Sequence, residues 1–159
     1  MTDDHERSRL VRQAVRVLPI SPAGHVLLLQ CVRPGAPDAP FWVTIGGGLE
    51  SGENEREAGV RELWEETGIR VDPNDLRGPL ASEFVEFAWA LYDIEQHQTY
   101  YVVDVENTAV TFAHLEEVEV ATTLGYRWWT LDDLRATTEH VLDNQREIIE
   151  TALAGADLI

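Results

Sequence analysis

The chain has 159 residues, 44% of them hydrophobic, and a formal net charge of −17, enough for one compact domain with its own core and too little for two. All 12 basic residues are arginine, which excludes a Walker-type phosphate lysine, a Schiff base and an amine nucleophile, and so acidic a surface repels the backbone of long DNA or RNA. An anionic ligand therefore needs a cationic bridge.

In chain order, the N-terminus MTDDHERSRL is polar rather than signal-like and reads as a frayed tail over residues 1–10, ahead of a single domain over 11–159. No apolar run approaches the roughly 18 to 20 residues that span a bilayer, so the expectation is a soluble cytoplasmic protein with no membrane partner. QAVRVLPI (13–20) and HVLLLQCV (25–32) read as strands joined by the tight turn SPAG. Cys31 is the only cysteine; it forms no internal disulfide and reads as a buried bystander. RPGAPDAP (33–40) holds three of the seven prolines and reads as an irregular loop before the strand FWVTI (41–45), which runs into Gly46, Gly47 and Gly48. Residues 53–67 carry a helical pattern, with Gly68 placed for a left-handed C-terminal residue.

Further on, SEFVEFAWALYDI (82–94) and TYYVVDV (99–105) read as strands separated by the polar EQHQ, and residues 106–119 as an acidic loop. GYRWWTL reads as a last strand, followed by helices over 132–136 and about 139–154, the second docking Val141, Leu142, Ile148, Ile149 and Leu153 on the core. The irregular alternation predicts an α/β domain, a mixed sheet with helices on its faces.

Residues 53–67 carry the chemistry. At about 100° per residue, Glu62, Glu65 and Glu66 share one face, while Val60, Leu63, Trp64 and Thr67 lie opposite. A charged helical face is most often only solvated. Here, however, glutamates three and four residues apart repel by a few tenths of a kcal/mol per pair, and clustered carboxylate oxygens suit a hard ion such as Mg²⁺ or Mn²⁺, which reverses the sign of that energy. The adjoining glycines let backbone approach a ligand closely. Arg61 is placed to pair with Glu57 or Glu65, or with Glu53 if the preceding loop folds back, and so to support the cluster.

Gly47, five residues, Glu53, seven residues, then Arg61-Glu62-Leu63-Trp64-Glu65-Glu66-Thr67-Gly68-Ile69 resembles the Nudix box, the motif of the Nudix hydrolase superfamily, at every fixed position. The RVLPISPAGHVLLLQ hairpin, the Trp-x-x-x-Gly-Gly-Gly approach and RWWTLDDL extend the likeness over roughly residues 14–134. One departure is Ile45, where many relatives have proline. The resemblance implies a Nudix-type α/β/α sandwich with a mixed β-sheet between helices. It also implies Mg²⁺- or Mn²⁺-dependent hydrolysis of a small-molecule nucleoside diphosphate linked to a further group, by water attack at phosphorus.

By the same resemblance Glu62 and Glu66 are metal ligands, Glu65 is a third ligand or part of the water network, and the Gly47 carbonyl is a backbone ligand. Arg61, Glu53, Gly46, Gly48 and Gly68 support the site. Relatives draw their general base either from the box, here Glu62 or Glu65, or from a downstream loop, where Glu119 is the first candidate and Glu117 the second. Arg33 is a candidate phosphate contact. Phe41, Trp89, Tyr101 and Trp128 could stack on a base, although aromatic residues on strands are more often core. No substrate-specific marker follows the box, and dimers are common among relatives, so a homodimer is an expectation of the likeness alone. Two alternatives are a Nudix-fold isomerase of isoprenoid diphosphates, which needs a well-placed cysteine, and a non-catalytic nucleotide-binding module, which usually goes with an eroded box.

Overall fold

A computed structural model describes residues 7–89 and 91–155. Seven strands form the sheet: β1 (Ser8–Ile20), β2 (Val26–Arg33), β3 (Ala36–Val43), β4 (Ile45–Gly48), β5 (Arg77–Trp89), β6 (Tyr92–Asp104) and β7 (Thr123–Trp129). The helices are α1 (Glu55–Thr67), α2 (Glu117–Thr122), α3 (Leu131–Ala136) and α4 (Asp143–Leu153). The main order is β3-β2-β1-β6-β5, with β4 paired to β1 and β7 to β2. The sheet is mixed: β1 runs parallel to β6 along its whole length, and the other named pairs are antiparallel.

Alternation along β1 divides the core in two. Val15 and Val17, with Leu27, Leu29, Tyr101 and Val103, pack against Ala58 and Leu63 of α1. Leu18, with Leu28, Trp42, Val102 and Trp129, packs against Leu134 of α3 and Ile149 of α4. Helices therefore cover both faces, as the α/β/α expectation requires. At Gly59 a Cβ would come within 3.1 Å of both Val17 and Leu76, so the missing side chain lets α1 lie close on β1.

Several boundaries differ from the sequence reading. Residues 1–6 of the expected tail lie outside the described residues, but Ser8–Leu10 pair in parallel with Tyr92–Ile94 and belong to β1. Most of the expected loop 33–40 is strand β3, which follows β2 after a turn at Pro34 and Gly35. At the end of the sheet order, Pro37 and Pro40 can be accommodated despite their missing N–H groups. The expected strand 82–94 crosses a chain reversal, since Trp89 pairs with Tyr92, and EQHQ lies inside β6. Part of the expected loop 106–119 is helical, because α2 starts at Glu117. Val141 precedes α4 and forms a bridge with Trp42 instead of extending the helix.

Candidate active site

Helix α1 begins two residues later than its pattern suggests. The Asn54 side chain accepts from the Glu57 N–H at 2.8 Å, and the Glu57 carboxylate accepts from the Asn54 N–H at 3.0 Å, which closes a capping box. Glu53 is thereby left in the loop rather than the helix. At the other end Gly68 has φ 75° and donates its N–H to Trp64 O, the left-handed stop expected of it.

Arg61 gathers the loop and the helix. Its Nε donates to Glu53 Oε2 at 2.7 Å and its Nη2 to Glu53 Oε1 at 2.9 Å, a two-pronged pair that keeps the Glu53 carboxyl below its ordinary range. Nη2 also donates to Gly48 O at 3.1 Å, while Nη1 donates to Glu62 Oε1 at 2.9 Å and Glu65 Oε2 at 3.2 Å. Of the partners anticipated for Arg61, Glu53 and Glu65 are engaged, whereas Glu57 is occupied by the cap.

One carboxylate oxygen each from Glu62, Glu66 and Glu119 lies within 4.8 Å of the others. Glu62 and Glu66 are buried and Glu119 is half-buried. Glu119 comes from α2, far along the chain, and accepts from the Glu116 N–H at 3.2 Å, which caps its own helix. Glu65 lies outside this trio and is held by Arg61; Glu117 is exposed and also outside it.

Burial, reinforced by the charges of Glu62 and Glu119, pushes the Glu66 carboxyl well above its ordinary range. Burial also raises Glu62, against the pull of Arg61, and raises Glu65 and Glu119. Between the unfolded value of about 4.3 and these higher folded values, the native state binds more protons than the unfolded one. Its stability therefore falls as pH rises through that window and stays low above it. The metal-free protein is expected to melt higher at pH 5, just above the unfolded value, than at pH 8, and added Mg²⁺ or Mn²⁺ to raise the pH 8 value most. Calorimetric melts at both pH values check this, and a metal-free Tm that climbs with pH would contradict it.

The glycines explain how backbone fits around these acids. Gly46 has φ +150°, and a Cβ there would overlap Val15 O, while its N–H donates to Glu66 Oε2 at 3.3 Å. A Cβ on Gly47 would stand 2.6 Å from Glu62 Oε1. Gly47→Ala is thus expected to displace the Glu62 carboxylate and weaken Mn²⁺ binding roughly 10- to 100-fold, the scale of a disturbed ligand support. Isothermal titration with Mn²⁺ checks this; unchanged affinity would show that Glu62 swings aside at no consequence.

Arg33 is exposed over the Phe41 ring, 5.0 Å from its centroid. Phe41 and Tyr101 are buried at 6% and 3% exposure and serve the core. Cys31 is half-buried, and burial followed by the charge of Glu66 pushes its thiol up to about 12, which leaves it a poor nucleophile. Sequence reasoning missed Arg12, Arg16, Gln96 and Gln98, which line the sheet beside the glycine loop; the alternation of Arg12 and Arg16 with apolar Val15 and Val17 along β1 was the available signal, whereas the unbroken polar run EQHQT hides Gln96 and Gln98 in β6.

The NUDIX domain model matches residues 10–151. A 57-residue stretch is 44% identical to an RNA pyrophosphohydrolase of Cereibacter sphaeroides, covering 35% of this chain and 30% of that protein. The E. coli dihydroneopterin triphosphate pyrophosphohydrolase superposes with a TM-score of 0.66 at 21% identity, over 92% of this chain and 99% of that one. The E. coli ORF135 protein does so with a TM-score of 0.64 at 23% identity, over 92% and 91%. The chain belongs to the Nudix hydrolase family. Among the described residues no helix is long and apolar enough to cross a membrane.

Proposed function

We propose that this protein is a metal-dependent pyrophosphohydrolase that cleaves the diphosphate bond of a small nucleoside diphosphate derivative. The observation that carries this reading is the convergence of Glu62, Glu66 and Glu119 oxygens within 4.8 Å. Two buried carboxylates and a half-buried third so close together repel when ionised unless a cation joins them, and an all-oxygen donor set fits Mg²⁺ or Mn²⁺. When bound, such ions neutralise phosphate charge and acidify water.

The chain's own residues do the remaining work. Glu62 and Glu66 would hold the ions, with the Gly47 carbonyl as a backbone donor. Arg61 fixes Glu62 and Glu65 relative to the glycine loop. Glu119, on a separate segment facing the same point, would accept the proton of the attacking water. The water oxygen forms a bond to phosphorus while the bond to the leaving phosphate oxygen breaks, and the geometry for that in-line step is set by how the diphosphate is positioned. A Glu119 raised by burial must be ionised to act, so the rate should fall as pH drops, and because hydroxide-like water is the better nucleophile the optimum should be alkaline.

The test is a panel of nucleoside triphosphates, nucleotide sugars and dinucleoside polyphosphates incubated with Mg²⁺ or Mn²⁺. The expected result is release of a nucleoside monophosphate or of a phosphate-containing leaving group, abolished by chelation and greatest above neutrality. Turnover that persists in chelator, or peaks near pH 5, would overturn the reading. Tight nucleotide binding with no turnover would favour a non-catalytic module.

A further inference from the structure

Beside the glutamates, β1 and β6 build a surface of opposite character. Register sets Arg12 beside Gln96, Ala14 beside Gln98 and Arg16 beside Tyr100. Arg12 Nε donates to Gln96 Oε1 at 2.5 Å, Gln96 Nε2 to Gln98 Oε1 at 2.7 Å, and Arg16 Nε to the same Gln98 oxygen at 3.4 Å. Gln98 Nε2 goes on to Glu83 Oε1 at 2.6 Å. Gln96 and Gln98 are buried at 0% and 2% exposure, so this amide chain is a fixed support and not a solvated edge.

Two guanidinium groups are thus brought together on one face of one strand. Arg7, Arg9, Arg61, Arg77 and Arg127 all pair with carboxylates. Among the described residues, Arg12 and Arg16 form no ion pair at hydrogen-bond distance and hydrogen-bond only to neutral groups, the two glutamine oxygens and Thr44 O. Arg12 bonds through Nε alone, and its Nη1 lies 3.3 Å from where a Gly48 Cβ would be. A fork with free N–H groups therefore reaches the rim of the glycine loop, next to Glu62. Half-burial and the neighbouring Arg16 act against the charge of Arg12 and outweigh the support it receives from the Glu62 carboxylate. In a chain with 29 acidic residues, two like charges held beside each other on neutral supports leave their outward donors for an anion.

We propose that Arg12 and Arg16, aligned by Gln96 and Gln98, form an anion subsite at the edge of the carboxylate cluster that receives a phosphate beyond the scissile diphosphate. This rests on the hydrolytic reading above and narrows its substrate class to small nucleotides with three or more consecutive phosphates. Ions held by the glutamates would serve the scissile pair; at the rim of the glycine loop Arg61 is already taken up by Glu53, Glu62, Glu65 and the Gly48 carbonyl, which leaves Arg12 and Arg16 to meet a further phosphate. The acidic remainder of the surface disfavours a polynucleotide extension.

The test compares kcat/KM for a nucleoside triphosphate and for a nucleotide sugar with the same base, in wild type, Arg12→Gln and Arg16→Gln. Each substitution is expected to lower the triphosphate value roughly 10- to 100-fold, chiefly through KM, as for loss of a charge-assisted pair. The nucleotide-sugar value should fall at least tenfold less. Equal losses on both substrates would mean that the arginines only balance the glutamates, and would overturn the subsite. So would a 5′-triphosphorylated oligonucleotide that outcompetes the free nucleotide.

A second readout needs no turnover: calorimetric binding of inorganic tripolyphosphate and of pyrophosphate in Mg²⁺. Wild type should prefer tripolyphosphate at least tenfold, and both variants should lose that preference; no preference in wild type sinks the proposal. If that preference is present but no nucleotide is hydrolysed, the subsite stands and the hydrolytic reading falls. Should Arg12→Gln fail to fold, Arg12→Lys, which keeps the charge and loses the fork, should show an intermediate preference.

Discussion

Glu66→Gln is expected to lower kcat roughly 10²- to 10³-fold, because removing a charge that holds the ions forfeits several kcal/mol of transition-state stabilisation and each 1.36 kcal/mol is a factor of ten. The same change should stabilise the metal-free protein at pH 8. Glu66 is 6% exposed and lies among other carboxylates, so its ionised form is disfavoured in the fold, whereas the amide carries no charge and still accepts from the Gly46 N–H. Melting the two proteins with and without Mg²⁺, beside an activity assay, reads both effects. The expected pattern is a higher metal-free Tm in the variant and a smaller rise on adding the ion. A variant that is both inactive and less stable without metal would indicate that Glu66 serves the fold, not the ion.

Arg61→Ala should act on fold and activity together. The guanidinium engages Glu53, Glu62, Glu65 and the Gly48 carbonyl, and its removal leaves those acids facing one another. Deleting one partner of a fully buried charge network costs about 3–5 kcal/mol; the Arg61 side chain is 19% exposed, and screening by water lowers the expectation to about 2 kcal/mol. For a chain of this size that is roughly 4–8 °C in Tm. Arg61→Lys restores charge without the two-pronged geometry. It should recover much of the stability but little of the activity, as measured by denaturant unfolding and kcat/KM. Equal recovery of both would show that only the charge at this position matters.

The helix that carries the glutamates was legible because its information is local. The apolar stripe through Leu63 and Thr67, the stop at Gly68 and the shared face of the acids all follow from spacing along one helix. Even its error was instructive: Asn54 as cap moves Glu53 out of the helix and within reach of Arg61. The β5–β6 hairpin was misread for a non-local reason. EQHQ reads as a polar break between strands, yet Gln96 and Gln98 are buried because Arg12, Arg16, Glu83 and one another satisfy their amides. Prolines in β3 misled likewise, since a strand at the end of a sheet need not donate outward. Glu119 was reachable only through the family likeness, because no periodicity links residue 119 to residue 62.

The thirteen-residue parallel pairing of β1 with β6 joins positions 84 apart in sequence. Closing so long a loop is entropically slow, so contacts of this kind set the pace of folding. Helix α1 can coil early from its own caps, with Arg61 beside Glu62 and Glu65, but Glu119 of α2 joins Glu62 and Glu66 only when the distant part of the chain packs onto the sheet. Cation capture thus belongs to the last stage of assembly, and divalent ions should retard unfolding far more than they hasten refolding.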